Sequence, residues 1–324
     1  MNIDAITPTV KTQLQEFEKA FAEILRSQVP LADKIVQYIS ELKGKRLRPA
    51  LVFLSAQLHG ILTDKAMDAA VVVELLHTAT LIHDDVVDNS VLRRGHPTVN
   101  SLWDNRISIL VGDLLFSRTL TAVLNLKSQE ALSILSECAN RITEGELLQV
   151  EHERDYRLEE SVYYDLVAKK TAALFSACCE LGALATQADA AARERMKRFG
   201  ECLGIAFQIK DDLLDYAGDA ALLGKPVGND IRENKITLPL IHALTQADEQ
   251  QREEIIRLLE QDEVGEDKVK MIVRFVQEMG GLSYAENVAR SYAEQAHEII
   301  QSYPESRAKS SLITLAQFAI SREN

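Results

Sequence analysis

From Pro97 to Pro226 the chain contains no proline between the two. Every residue in that interval can donate its backbone N–H to an i→i−4 hydrogen bond, and apolar residues recur with a 3.6-residue period through much of it. The reading is a stack of helices. Stretches such as "AAVVVELLHTATLI" (69–82) and "ECLGIAFQI" (201–209) are apolar nearly all round, so they are expected to be central helices enclosed by others. "QREEIIRLLEQ" (251–261) and "SYAEQAHEIIQSY" (291–303) are two-faced and should lie outside. With 324 residues the chain could hold two average domains, yet it shows neither strand–helix alternation, nor a low-complexity linker, nor a fixed-period repeat. The expectation is all-α: one large helical-bundle domain over residues 1–324.

A hydrophobic content of 46% provides for a sizeable core, while a formal net charge of −13 argues against nucleic acid or an anionic membrane as the main partner. Any anionic ligand must then be held by local basic groups or by metal. Cys138, Cys178, Cys179 and Cys202 show no CxxC spacing, and the adjacent pair is poorly placed for a disulfide, which fits a reducing cytoplasm. No secretory signal and no uninterrupted apolar stretch of bilayer-spanning length is read from the sequence, so the expectation is a soluble cytoplasmic protein.

One pattern occurs twice. "DDVVDNSVLRRGHPT" (84–98) and "DDLLDYAGDAALLGKPVG" (211–228) each begin with DDxxD after an apolar helix and run into a loop with glycine, a basic residue and proline. Such a pair could build two walls of one mouth. Helical spacing puts Asp84 and Asp88 on one face, and Asp211 and Asp215 likewise. Carboxylates near a helix C-terminus meet both an unfavourable dipole and one another, and a bound cation reverses both terms. The hard oxygen donors suggest Mg²⁺, which completes its octahedron with water and phosphate oxygens. A single acidic triplet is about as often a solvated helix end; two copies, each emerging from a helix that wants burial, favour the metal.

Basic residues gather in "GKRLRP" (44–49) and "RRG" (93–95), with Lys170, Lys225 and Lys235 as further candidates for holding a diphosphate. Any one of these lysines alone would be an ordinary surface residue. A lone histidine on an apolar helix is usually a core residue, but His77 shares a helical stripe with Asp84 and Asp88. HExxH is absent, so zinc hydrolysis has no support.

With DDxxD twice, "GKRLRP", "RRG", the Lys–Thr pair of "AKKTAALF", and "FQIKDDLLDYAGD" followed by "LGKPVGNDIRENKITLPL", the chain resembles the trans-isoprenyl (polyprenyl) diphosphate synthases over about residues 40 to 245. It is most similar to their long-chain branch, which includes the octaprenyl diphosphate synthases. The resemblance implies an all-α fold around a central cavity, a homodimer, and three Mg²⁺ per active site. It assigns Asp84, Asp85, Asp88, Asp211, Asp212 and Asp215 to metal, with the metal on the allylic diphosphate. Lys45, Arg48, His77 and Arg94 match positions that bind isopentenyl diphosphate; Arg93, Lys170, Lys225 and Lys235 match contacts to the allylic diphosphate. Thr171 and Gln208, with Lys170, match catalytic groups near the developing cation, whereas Arg46 matches no family role. The implied reaction ionises the allylic C–O bond, lets the double bond of isopentenyl diphosphate attack the cation, and ends with proton loss to the departed diphosphate. No Glu–His or Ser–His constellation competes for that proton.

In this family the growing tail runs down beside the helix of the first motif. Ala79 and Thr80 are small, Leu76 and Leu75 and then Val72 and Val73 follow, and no Phe, Tyr or Trp occurs from Gly60 to Ile82. A helical turn rises about 5.4 Å, comparable with one isoprene unit, so the expected product is longer than geranylgeranyl. Otherwise Ala79 and Thr80 are merely packing residues and another helix supplies the floor, through Phe116, Leu147 or Leu148. A long product implies transient membrane contact at release. A terpene cyclase is disfavoured by the intact second motif and "GKRLRP", and a non-catalytic regulatory subunit by two complete motifs; the catalytic half of a heteromeric synthase stays open.

Overall fold

The computed structural model describes residues 8–42, 44–93, 95–217, 228–261 and 265–322. After a 3₁₀ turn at Pro8–Val10 the helices are α1 Lys11–Ile24, α2 Pro30–Glu41, α3 Leu47–His59 and α4 Asp64–Val87. A two-strand hairpin, β1 Leu92–Arg93 and β2 His96–Pro97, precedes α5 Val99–Trp103, α6 Asn105–Asn125, α7 Gln129–Glu151 and α8 Glu160–Val167. A π-helical turn at Ala168–Ala172 runs directly into α9 Ala173–Ala185, and α10 Ala190–Ala217 follows. The chain closes with α11 Asn229–Arg232, α12 Leu238–Gln246, α13 Glu249–Leu259, α14 Glu266–Glu278, α15 Gly281–Gln301 and α16 Arg307–Ser321. The architecture is all-α, as the period of the apolar residues demands. Prolines open helices where their missing N–H costs nothing: Pro30 begins α2 and Pro239 sits in the first turn of α12.

The fold divides into two compact units, 1–139 with 174–200 and 299–315, and 140–173 with 201–298 and 316–324. In the first, α4 is the central helix: Ala69, Val72, Val73, Leu75 and Leu76 are buried all round it, and it packs most extensively on α6 and then α3. The charged Glu74 is buried in this apolar run. Arg46, in a left-handed conformation just before α3, donates from Nη1 to Glu74 at 2.7 Å and from Nε to Glu18 at 2.6 Å, with Phe17 and Phe21 beneath its guanidinium. The middle residue of the basic block is therefore the counter-ion of a buried carboxylate.

In the second unit, Tyr163, Val167 and Ala172 pack with Ile205, Ile209 and Leu213 of α10, Leu238 of α12, and Ala285 and Ala289 of α15. A neighbouring cluster joins Tyr216, Leu240, Ile272 and Val276. The outer, two-faced helices are as the sequence suggested: α13 buries Ile255 and Leu259 and leaves its charges outside.

Two features differ from the sequence reading. The segment after the first motif is a short antiparallel hairpin, Leu92 opposite Pro97 and Arg93 opposite His96, with Gly95 at positive φ in its turn. Its strands are too short for an alternating pattern to register. By length and composition, α4 and α6 both also reach the threshold for crossing a membrane. For α4 the cause is its place in the core; α6 instead leaves Ile109, Leu110, Phe116, Leu120 and Leu124 exposed.

Gly145 of α7 lets that helix approach the π turn closely. A Cβ there would lie 2.7 Å from the Lys170 nitrogen and 3.0 Å from its Cα, and backbone cannot swing aside. Gly145→Ala should therefore destabilise the protein by roughly 1–3 kcal/mol, despite alanine's better helix propensity. Urea denaturation checks this, and a gain in stability would show that α7 can retreat.

Candidate active site

Helix α4 ends at the first acidic motif. Asp88 is its C-cap, and the Asp88 N–H donates to the Asp84 carbonyl at 2.8 Å, so Asp84 and Asp88 stand one turn apart with both side chains half-buried. Asp85 points inward and is only 5% exposed. The hairpin returns Arg93 to it, with Nε donating to Asp85 Oδ1 at 2.8 Å. Below the hairpin, the Ser90 N–H and the Asn100 side chain both donate to the Asp85 carbonyl. Burial pushes the Asp85 carboxyl above the ordinary range, Arg93 pulls it back, and the Asp88 charge adds to the rise.

The second motif is arranged differently. Near the end of α10, Asp211 is the open carboxylate, with its side chain 54% exposed, whereas Asp212 and Asp215 are buried. Tyr163 donates its hydroxyl to Asp212 Oδ2 at 2.6 Å, and the Gln208 amide nitrogen donates to Asp212 Oδ1 at 2.8 Å. Thr171 in turn donates to Gln208 Oε1 at 2.8 Å. Asp215 organises the returning chain: it accepts the Asp230 N–H at Oδ2 (2.9 Å) and the Gly228 N–H at its carbonyl (2.8 Å). The helical pairing of Asp211 with Asp215 thus does not present two open carboxylates, because the segment from Gly228 covers the second. Burial, reinforced by the charges of Asp211 and Asp215, pushes the Asp212 carboxyl up to about 7 against the opposing hydrogen bonds from Tyr163 and Gln208.

The basic candidates are distributed over both units. Lys45 is exposed, His77 is half-buried, and the Arg48 guanidinium lies 5.3 Å from the centre of the Phe175 ring. Lys170, in the π turn, donates from Nζ to Glu146 and Gln149 of α7, both at 2.8 Å. Lys235 pairs with Glu233 at 2.8 Å. Arg94 and Lys225 lie outside the described residues. Of the chain-length candidates, Ala79 and Leu76 are buried and Thr80 is half-buried, with its hydroxyl bonded back to the His77 carbonyl. Phe116 and Leu147 are exposed, and Leu148 is half-buried.

Sequence reasoning missed four participants: Tyr163, Glu146, Gln149 and Arg322. Only Tyr163 carried a signal, since it lies two helical turns before Lys170; the others come from remote segments.

The carboxylates fit a hard divalent cation. Burial first, and neighbouring carboxylates second, raise the Asp85 and Asp212 carboxyls, and a bound cation would offset both by favouring the ionised form. Among the described residues no three His, Cys, Asp or Glu side chains converge into a ready cage. That donor set suits an ion that draws the rest of its shell from water and phosphate oxygens.

Known proteins share this sequence pattern and this fold. The polyprenyl synthetase family pattern matches residues 29–276. This chain belongs to the polyprenyl synthetase family. It is 36% identical over 322 residues to the octaprenyl diphosphate synthase of Haemophilus influenzae, covering 99% of this chain and 98% of that one. It is 32% identical to the geranylgeranyl diphosphate synthase of Methanosarcina mazei, with both chains covered in full. A polyprenyl synthase from Caulobacter crescentus, solved with calcium and isoprenyl diphosphate, superposes with a TM-score of 0.93 at 34% identity, covering 99% of this chain and 98% of that one. The present synthase is accordingly a prenyltransferase that makes trans-prenyl diphosphates.

The buried Asp212 gives the synthase a pH signature. Its folded pKa lies above the unfolded value of about 3.9, so its contribution to stability is full below that value and is lost as pH rises towards about 7. From pH 5 to pH 8 the metal-free wild type should lose thermal stability relative to Asp212→Asn, by up to a few kcal/mol. Millimolar Mg²⁺ should restore wild type more at pH 8 than at pH 5. Parallel melting curves for the two proteins would speak against this electrostatic account.

Proposed function

We propose that this synthase extends an allylic diphosphate such as farnesyl diphosphate by successive head-to-tail additions of isopentenyl diphosphate, ending at about octaprenyl length. The observation that carries the length is on α4. One turn before Asp84 stand Ala79 and Thr80, and no Phe, Tyr or Trp occurs on that helix between its start at Asp64 and Ile82. Nothing large enough to stop a growing tail is attached there.

Mg²⁺ would be held by Asp84 and Asp88 at the first motif and by Asp211 at the second, with diphosphate oxygens completing each shell; the family resemblance implies three ions. When bound, the metal neutralises the leaving diphosphate. The remaining work falls to the chain. Lys45, Arg48, His77 and Arg94 hold isopentenyl diphosphate, and Arg93, Lys170, Lys225 and Lys235 hold the allylic diphosphate. Asp212 takes the amide nitrogen of Gln208, which turns Gln208 Oε1 towards Thr171. Those two oxygens are the dipoles that favour a developing allylic cation, and a dipole fixed before the reaction needs no reorganisation during it. The proton lost at the end goes to the departed diphosphate.

The protein works in the cytoplasm as a homodimer. Ile109, Phe116 and Leu120 and then Leu124 follow a helical stripe on α6, each at least 39% exposed. A second copy of the chain is the partner that would cover so apolar a face, and the finished tail would meet a membrane only at release. Sedimentation equilibrium should give a dimer for wild type and a monomer for Leu120→Glu with Leu124→Glu. A wild-type monomer that gains activity only with a second, different subunit would replace the homodimer with a heteromer.

The activity test uses purified chain, farnesyl diphosphate, excess isopentenyl diphosphate and Mg²⁺, with product mass read after the diphosphate is removed. Wild type should give a ladder ending near octaprenol that chelator abolishes, and Ala79→Phe should end the ladder several units earlier. Overpacking at so buried a position costs about 1–3 kcal/mol, so melting curves accompany the assay. A wild-type ladder ending at geranylgeraniol would place the floor on another helix and refute the long-chain reading.

A further inference from the structure

Arg322 follows the last turn of α16 and is 6% exposed. Its guanidinium lies 3.6 Å from the centre of the Phe207 ring. Nη2 donates to the Phe207 carbonyl at 2.6 Å, and Nη1 pairs with Asp211 Oδ1 at 3.0 Å. The anchor and the target lie on the same helix, since Phe207 is one turn before Asp211 on α10. Nε is buried and makes no hydrogen bond in the described structure, so the guanidinium is not fully satisfied where it sits. A structural arginine would normally have that donor paired. Instead, a positive charge is carried through an apolar seat to meet the one open carboxylate of the second acidic motif.

A guanidinium and a divalent cation on one carboxylate compete, because their charges repel at such short range and each draws on the same negative charge. We propose that Arg322 is an internal counter-ion of the second acidic motif, holding Asp211 until a divalent cation displaces it, so that its charge sets the metal affinity of that motif. The inference rests on the reading of Asp211 as a metal carboxylate. On displacement Nη1 passes to water or to an oxygen of a bound anion and the guanidinium swings outward, with the Phe207 ring and carbonyl as the seat it leaves and returns to. Metal binding would then release a cation from the very motif that a diphosphate must approach.

The test measures Mn²⁺ binding by isothermal titration, in a chain whose first motif is silenced by Asp84→Asn and Asp88→Asn. In that background Arg322→Met should bind Mn²⁺ on the order of tenfold more tightly, the ratio expected for removing one partly buried competing charge. Arg322→Lys should stay near the parent, and Asp211→Asn should bind weakly whatever residue stands at 322. Equal or weaker binding by a folded Arg322→Met, judged by circular dichroism, would make Arg322 a packing residue and overturn the proposal. Absence of Mn²⁺ binding from both the parent and Arg322→Met would sink the metal reading of Asp211 and this inference with it. Should Arg322→Met fail to fold, the silenced parent decides: phenylglyoxal modification of Arg322, located by mass spectrometry, should be slow without metal and several-fold faster with Mn²⁺. An unchanged rate under saturating Mn²⁺ would equally overturn the proposal.

Discussion

Both acidic motifs sit where physics least favours them, at the C-terminal ends of helices whose other residues seek burial. The helix dipole is negative there, and each motif adds three carboxylates within five residues. The surrounding structure is largely the means of keeping that charge in place. Arg93 comes back across a hairpin to Asp85, Tyr163 and Gln208 occupy the two oxygens of Asp212, backbone N–H groups close on Asp215, and Arg322 reaches Asp211. The neutral donors leave the charge of the motifs in place, whereas Arg93 and Arg322 offset part of the field that a cation would meet.

The second motif joins the residues proposed for metal binding to those proposed for cation stabilisation in one arrangement. A single line of hydrogen bonds runs from Thr171 through Gln208 to Asp212, which Tyr163 holds from its other side. Gln208 can present its carbonyl oxygen towards Thr171 only because its amide nitrogen is taken by a carboxylate. The direction of the dipole is therefore set from the acidic end. A change in the charge of Asp212 would alter the orientation of Gln208 and, on the proposed function, the dipole offered to the reacting carbon.

The helical architecture was legible because it depends on periodicity and on a long interval without proline, both local properties. The acidic motifs were legible because their spacing is that of a helix, and the Lys170–Thr171 pair only because it matches a family pattern. What stayed hidden is the inequality among the six aspartates. DDxxD reads the same at 84 and at 211, yet Asp88 is half-buried and Asp215 wholly buried, because the chain from Gly228 folds back over the latter. Arg322 was invisible for the same reason, lying over a hundred residues from Asp211. Arg46 could not be assigned from its block, since the carboxylate that needs it, Glu74, looks like an ordinary charge within an apolar run. The small hairpin and the membrane-length composition of α6 were missed because two-residue strands leave no pattern and because isolated polar residues mask an apolar average.

The π turn at Ala168–Ala172 adds a matter of register. In a π turn the hydrogen bond spans five residues where an α-helix spans four, so the turn holds more chain than its neighbours need. Two adjacent lysines, Lys169 and Lys170, occupy it, and they have different partners: Lys169 reaches Asp165 at 2.8 Å and Glu144 of α7 at 3.7 Å, while Lys170 crosses to Glu146 and Gln149. Deleting one residue here would let the segment relax into uninterrupted α-helix with Lys169 stepping into the vacated place. A lysine would still face α7, but the hydroxyl that meets Gln208 would have rotated away by about 100°. The turn thus acts as a vernier between two sides of one helix, and alignments that close it with a gap would preserve the charge and lose the chemistry.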